Sequence, residues 1–122
     1  MFLAIDFASN LPIYEQIRRE IIKALARGDL SYGQVLPSVR SLAKDIGINL
    51  HTVNKAYKLL EEDGLIVMDR RFGSKLVDEK LPLRVDQKAS IHENLEFLLA
   101  FAKVKGVKEE DLLTFIGKFY EN

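Results

Sequence analysis

The feature that most restricts the fold is a pair of short amphipathic segments separated by a glycine and followed by two segments of strand-like composition. Segments 39–46 and 50–63 have apolar residues at spacings of three and four, and Gly47 stands between them. Ser38 and Asn49, which precede the two segments, are residue types that cap helices. Two helices joined in this way are typical of a helix-turn-helix. The sequences LIVM and SKLV, which flank DRRFG, then predict a β-hairpin.

An earlier helix is predicted over residues 12–27. Pro12 suits the first turn of a helix, where its missing N–H costs no hydrogen bond, and Gly28 suits the left-handed residue that ends one. The order helix, helix, helix, hairpin is that of a winged helix-turn-helix domain, which we place at residues 1–78. Residues 2–7 (FLAIDF) are expected to form an extended lead-in that packs against the first helix.

Residues 79–122 are predicted to form a separate helical unit. Ser90 and Glu93 have the spacing of a capping box in front of a helix over 91–105. A second helix is predicted at about 108–120, with acidic residues in its first turn, where they complement the helix dipole. The predicted fold class is therefore mainly α with a small β-hairpin: a winged helix-turn-helix domain followed by a short two-helix unit.

One surface of the winged helix has the composition of a binding site for double-stranded DNA. In a helix-turn-helix the second helix (here 49–63) enters the major groove, and no acidic residue lies between Ile46 and Leu60. Asn can pair with adenine, Lys and His can donate to guanine or phosphate, and Leu can contact a thymine methyl group. Basic residues at the hairpin tip, or wing (69–75), can reach phosphates or the minor groove. The candidate DNA-binding residues are Ser38, Arg40, Asn49, Leu50, His51, Thr52, Asn54, Lys55, Lys58, Arg70, Arg71 and Lys75.

The C-terminal helices carry apolar residues on more than one face, and such helices must be buried on more than one side. A two-fold homodimer supplies the missing surface and matches palindromic half-sites about one turn of DNA apart. The alternative is that both apolar stripes are buried against the winged-helix domain. The residues assigned to the dimer interface are Ile91, Leu95, Phe97, Leu98, Phe101, Ala102, Leu112, Phe115, Ile116 and Phe119.

Composition excludes several other classes of protein. The 122 residues include 18 basic and 18 acidic residues, so the net charge gives no bulk signal for nucleic acid or membrane. The absence of cysteine excludes disulfides and thiolate chemistry. The N-terminus lacks the basic region of a signal peptide. The longest apolar run, 97–102, is far below the ~20 residues that span a bilayer. We therefore expect a cytoplasmic protein with no membrane partner.

Enzymatic activity is not expected. The sequence has no P-loop, no G-x-S-x-G, no H-E-x-x-H and no dinucleotide-binding fingerprint. His51 and His92 lie on different units and have no ligand-type partners at helical spacing, so we predict no metal site and no cofactor. Binding of a small apolar effector between the helices of a dimer is an open alternative, although no residue identifies such a ligand.

Residues of about 10–77 resemble the DNA-binding domain of the GntR family of bacterial transcription regulators. The resemblance rests on the joint spacing of PIYEQI, G-x-x-LPSVRSLA, TVNKAY and LEEDGLI. TVNKAY, the lead-in and the short helical C-terminus are most similar to the YtrA-like subfamily. That resemblance implies a dimeric repressor, often of genes for ABC transporters, with DNA contacts at Arg40, Asn49, Leu50, His51, Thr52, Asn54, Arg70 and Arg71.

The sequence departs from the family pattern at two places. Asn49-Leu50 stands where the family commonly has Ser or Thr followed by Arg, which removes an arginine that could read guanine. The wing RRFGSKLV has Phe72 in place of one glycine of the usual R-x-G-x-G-T-F-V. These departures are the best support for the alternative function, a protein-interaction winged-helix adaptor without DNA binding. The basic outer face, which includes Arg40, Arg70 and Arg71, argues against that alternative.

Overall fold

The structure, a computed structural model, describes residue 1 and residues 3–121, so Phe2 of the predicted lead-in lies outside the described residues. The described chain divides into two compact units, Met1–Leu81 and Pro82–Asn122. The mainly helical winged helix-turn-helix fold is confirmed. Its elements are α1 (Ile13–Arg27), α2 (Val39–Ile46), α3 (Leu50–Glu62), β1 (Ile66–Asp69), β2 (Gly73–Leu76), α4 (Val85–Val104) and α5 (Glu109–Tyr120).

Local side-chain chemistry sets the ends of the helix-turn-helix. The Ser38 hydroxyl oxygen accepts a hydrogen bond from the Ser41 backbone N–H at 3.0 Å. The Asn49 carboxamide oxygen accepts one from the His51 N–H at 2.8 Å. Gly47 takes the left-handed conformation (φ 80°) that ends α2. These contacts satisfy backbone groups that a helix end leaves free, and they place α2 and α3 where the sequence predicts them.

The core of Met1–Leu81 lies between the three helices and the hairpin, and α3 is at its centre. The apolar spacing of segment 50–63 corresponds to a buried stripe on α3, in which Val53, Ala56, Tyr57 and Leu60 are fully buried. The buried Tyr57 hydroxyl donates a hydrogen bond to the Pro37 carbonyl at 2.8 Å. This bond attaches the residue before the α2 cap to the middle of α3. Burial also raises the pKa of Tyr57 far above its usual value.

A buried glutamine holds the lead-in on α1. The Gln16 amide nitrogen donates to the carbonyls of Asp6 at 2.9 Å and Leu11 at 2.8 Å, and its amide oxygen accepts from the Asp6 N–H at 2.8 Å. Leu3 and Ile5 then pack against the core. The expected packing of the lead-in is therefore confirmed for Leu3 and Ile5, whereas Phe7 is exposed. The hydrogen bonds of the lead-in to Gln16 were not foreseen.

The hairpin is antiparallel, with Ile66 opposite Leu76 and Asp69 opposite Gly73. A third piece of extended chain joins it, since Val35 forms a bridge with Lys75. The Leu36 N–H donates to the Ser74 carbonyl at 2.8 Å, and the Leu76 N–H donates to the Gln34 carbonyl at 2.9 Å. This third piece cannot be predicted from the sequence, because three residues are too few to show an alternating pattern.

The predicted start of the C-terminal helix is wrong. Helix α4 begins at Val85 instead of Ile91, and the Arg84 N–H donates to the Gln87 side-chain oxygen at 3.0 Å. Ser90 lies inside the helix, where its hydroxyl accepts from the Asn94 side chain at 3.3 Å. The proposed Ser90–Glu93 capping box therefore does not form. The first turns of α4 are mostly exposed, and their only apolar residues are Val85 and Ala89, too few to predict where the helix begins.

Helix α5 begins with Glu109, Glu110 and Asp111 in its first turn, as predicted. No residue of α4 or α5 is buried, and only three are even half-buried: Gln87, Ala102 and Leu112. Among the described residues, no helix combines the length and the apolar character that crossing a bilayer requires.

Candidate nucleic-acid interface

The N-terminal part of α3 presents its polar side chains on the face opposite the core. Asn49, Leu50 and His51 are exposed at the start of the helix, and Thr52 and Asn54 are half-buried beside them. Because the core residues of α3 hold one side of the helix fully inside, the opposite side is fixed in orientation. This surface offers amide, imidazole and hydroxyl groups, which suit hydrogen bonding to base edges in a groove.

Lys55 has a partner within its own unit. Its ammonium nitrogen lies 4.0 Å from the centroid of the Tyr14 ring, so α3 and α1 are joined here by a cation–π contact. The Lys55 side chain remains exposed, and Lys58 is exposed one turn later. Lys55 is therefore restrained on the α1 side of the helix.

The start of α2 carries two more of the candidate DNA-binding residues. Ser38 and Arg40 are exposed in the cap and first turn. The Ser38 oxygen already accepts the capping hydrogen bond, but its hydroxyl proton is available to an acceptor such as a phosphate. Arg40 adds a positive charge beside the free N–H groups of the first turn, an arrangement that favours anions.

The tip of the wing is a three-residue loop, 70–72, which ends at Gly73 in the left-handed conformation (φ 80°). Asp69 lies opposite Gly73 and pairs with Arg71, at 3.0 Å between Oδ2 and the guanidinium Nη2. This guanidinium keeps the pKa of Asp69 below its usual value. The Lys75 ammonium lies 3.2 Å from Asp78 Oδ1 and 4.9 Å from the Phe72 ring centroid. Two of the three predicted wing cations thus have aspartate partners.

The segment 34–38 connects these three parts of the surface. Its first residues pair with β2 at the base of the wing, and the Pro37 carbonyl accepts the Tyr57 hydrogen bond from α3. Ser38 then caps α2. One short stretch of backbone therefore sets the wing, the start of α2 and the recognition helix relative to each other.

The far end of α3 is fixed by charge. Arg18 of α1 donates through Nε to Asp63 Oδ2 at 2.7 Å and also contacts Glu15 at 3.2 Å. The hydrogen bond that Arg18 donates to Asp63 raises the pKa of Arg18 above its usual value. The acidic end of α3 thus has a structural role.

The residues predicted to form a dimer interface lie at the surface of the C-terminal unit. Phe97 is 68% exposed, and its ring centroid is 6.4 Å from that of Phe101. In the part of the chain described here, the backbones of α4 and α5 make no close contact with each other. The predicted residues are exposed (Ile91, Leu95, Phe97, Leu98, Phe101, Phe115, Ile116, Phe119) or half-buried (Ala102, Leu112).

Comparison with known proteins gives the family. The model described as "Bacterial regulatory proteins, gntR family" matches residues 13–76, which include the helix-turn-helix and the wing. The chain belongs to the GntR family. This GntR protein is 39% identical over 111 residues to "HTH-type transcriptional repressor YtrA" of Bacillus subtilis (strain 168), a match that covers 90% of this chain and 85% of the relative.

Solved structures agree with this assignment. A transcriptional antiterminator from Listeria monocytogenes EGD-e superimposes with a TM-score of 0.88 at 28% identity, covering 99% of this GntR chain and 91% of the other. AraR(DBD) in complex with operator ORX1 gives a TM-score of 0.56 at 26% identity, covering 63% and 99%. The relatives carry the names of transcriptional regulators, not of enzymes. The GntR chain is a transcriptional regulator, and the predictions of family and of a non-enzymatic function are confirmed.

The sequence does not reveal the roles of three residues that shape the surface of this GntR protein. Tyr57 has the spacing of a core residue, but its hydroxyl also links α3 to the residue before the α2 cap. Asp69 and Asp78 were not considered, although they neutralise wing cations. The one available signal was the spacing Asp69-Arg70-Arg71, in which an aspartate two residues before a turn residue can accept its N–H.

Proposed function

We propose that the chain is a dimeric repressor that recognises a palindromic operator in double-stranded DNA. Residues 49–63 enter the major groove, and the wing 69–75 contacts the adjacent backbone or minor groove. The observation that carries the proposal is the exposed start of α3. It presents Asn49, Leu50 and His51 in a stretch without acidic residues between Ile46 and Leu60, on a helix whose other side is buried in the core.

The exposed apolar residues of α4 and α5 support the dimer. An apolar surface of this size on two helices that do not cover each other requires a partner, and a second copy provides an identical, self-complementary one. A two-fold dimer also gives two recognition helices, as an operator with two half-sites requires. The same aromatic side chains would line a site for a small apolar effector between the helices.

The regulated genes are inferred only from similarity. The Bacillus subtilis relative is named as a repressor and matches nearly the whole chain. We therefore propose repression as the output. The resemblance to the YtrA-like subfamily supports an ABC transporter operon as the target, and we propose the cytoplasm as the location. An inverted repeat upstream of an adjacent transporter operon would support this assignment, and a selected motif absent from such operons would contradict it.

The experiment is selection of bound sequences from a random duplex library with the full chain, followed by titration of the selected duplex. We expect a motif with two-fold symmetry. Asn54→Ala should change the preferred bases, while Asn10→Ala, an equal truncation at an exposed site between the lead-in and α1, should not. Arg40→Ala should weaken binding to all duplexes. If no motif emerges, the repressor proposal is wrong and the protein-interaction adaptor is favoured.

A further inference from the structure

The carboxylate of Asp69 lies at the tip of the wing and pairs with one of its arginines. One oxygen of Asp69 accepts from the Arg71 backbone N–H at 2.8 Å and from the Arg71 Nε at 3.2 Å. The other oxygen accepts from Nη2 at 3.0 Å. The same carboxylate therefore closes the turn and binds the guanidinium through two of its nitrogens. Such two-point binding is the geometry with which an arginine binds a phosphate.

The charge of Lys75, a second basic residue of the wing, is also balanced by a carboxylate. The Lys75 side chain is only 25% exposed, lies against Phe72 and pairs with Asp78. Arg70, in contrast, is exposed at the turn, and no carboxylate partner for it is found in the part of the chain that the structure describes. The charge of the wing is thus distributed unequally over three cations that look equivalent in the sequence.

We propose that Asp69 is a positioning residue that withholds Arg71 from DNA, so that Arg70 alone supplies the phosphate contact of the wing. This inference rests on the proposed DNA-binding role of the wing. To reach a phosphate, the Arg71 guanidinium must exchange one anion for another, and the released carboxylate would then lie beside the polyanion. Little is gained from that exchange, whereas Arg70 displaces counterions from DNA without losing a partner.

Asp69→Asn tests the proposal because asparagine keeps the size of the side chain and the oxygen that accepts the Arg71 N–H. Only the charge that holds the guanidinium is lost. Each added phosphate contact steepens the dependence of log affinity on log salt by about 0.9, which amounts to about five- to ten-fold in affinity near 0.1 M salt. We expect this gain for Asp69→Asn on a duplex of random sequence.

The arginine variants complete the test. Arg70→Ala should reduce the affinity by about five- to ten-fold and flatten the salt dependence by about 0.9. Arg71→Ala alone would leave the Asp69 carboxylate unpaired beside DNA, so Arg71 is tested in the double variant. Asp69→Asn combined with Arg71→Ala should lose the gain and return the affinity and the salt dependence of wild type. A gain that survives in the double variant would overturn the proposal, since Asp69 would then act by repelling DNA directly. A loss in the double variant equal to that in Arg70→Ala would overturn it as well.

Elution from heparin separates this inference from the proposed function. Heparin is a polyanion without base edges, so it reports the free charge of the wing and not operator recognition. We expect Asp69→Asn to elute at higher salt than wild type, Arg70→Ala at lower salt, and the double variant of Asp69→Asn and Arg71→Ala with wild type. If this order holds while no operator is selected, the repressor proposal fails and the inference stands. If operator binding is found but the order is absent, the inference is wrong.

Discussion

The two units of the chain differ in where they bury their apolar side chains. All buried apolar residues among those described belong to Met1–Leu81, where the core is continuous from α1 to the hairpin. In α4 and α5 comparable side chains are exposed, with Phe115 at 67% and Leu98 at 61%. The first unit therefore has the core of an independent domain, and we expect the second to gain its stability by association.

Replacement of one leucine by alanine in each unit tests this comparison directly, and it gives the largest expected change in stability. Leu60 is fully buried in α3, and Leu98 lies at the surface of α4. Leu60→Ala should reduce the free energy of unfolding by about 2–5 kcal/mol at every protein concentration, because it leaves a cavity in the core. Leu98→Ala should leave the winged helix intact and weaken the dimer, so its effect should grow on dilution. Thermal unfolding at several protein concentrations measures the change in stability, and sedimentation measures the weakening of the dimer.

The control is His92→Ala, at an exposed polar position of the same helix. It should change neither the melting temperature nor the sedimentation coefficient. If Leu98→Ala lowers the stability by the same amount at all concentrations, α4 is covered within its own chain. The contrast between the two units would then be wrong.

Tyr57→Phe should have a smaller effect, because it removes one hydrogen bond and no volume from the core. The Pro37 carbonyl would lose its donor, at a cost of about 1–2 kcal/mol in the free energy of unfolding. Because this bond holds the start of α2 against α3, DNA affinity should also fall. Chemical denaturation gives the first quantity and duplex titration the second. Unchanged DNA affinity at reduced stability would show that the bond does not position the surface.

The pH dependence of stability provides a second measurement on Tyr57. Its pKa is raised in the folded state, so the folded chain retains a proton that the unfolded chain releases above a pH of about 10. The stabilisation from Tyr57 is complete below that pH and is lost as the pH rises further. The stability of wild type should therefore fall more steeply above about pH 10 than that of Tyr57→Phe. Parallel curves would contradict the assigned burial of the ionisable hydroxyl.

The helix ends of the winged helix could be predicted because they depend on neighbouring residues. Ser38, Gly47 and Asn49 act on backbone groups within a few positions, so their residue types are informative by themselves. The start of α4 was missed for a related reason: its cap uses Arg84 and Gln87, and its first turns carry no apolar stripe. Local signals predict helix ends only where the residues follow common preferences.

The candidate site was predicted less completely than the fold. Exposure of the recognition face follows from periodicity, since the residues opposite a buried stripe must face outward. The pairing of Arg71 with Asp69 and of Lys75 with Asp78 depends on how the hairpin turns. The contact of Tyr57 with Pro37 depends on the packing of two helices. Composition shows which charges are present, but tertiary structure determines which of them remain free.

The smallest predicted effect concerns the contact between Lys55 and Tyr14 at the surface of the first unit. A cation–π contact at an exposed site stabilises by about 0.5–1 kcal/mol, so Tyr14→Leu and Lys55→Met should show a coupling of that size in a double-mutant cycle of unfolding. If the ring also holds Lys55 for a phosphate contact, Lys55→Met should flatten the salt dependence of duplex binding by about 0.9, and Tyr14→Leu should weaken binding about two-fold without changing the slope. A salt slope that Lys55→Met leaves unaltered would assign Lys55 to the packing of α1 on α3 and remove it from the DNA-binding surface.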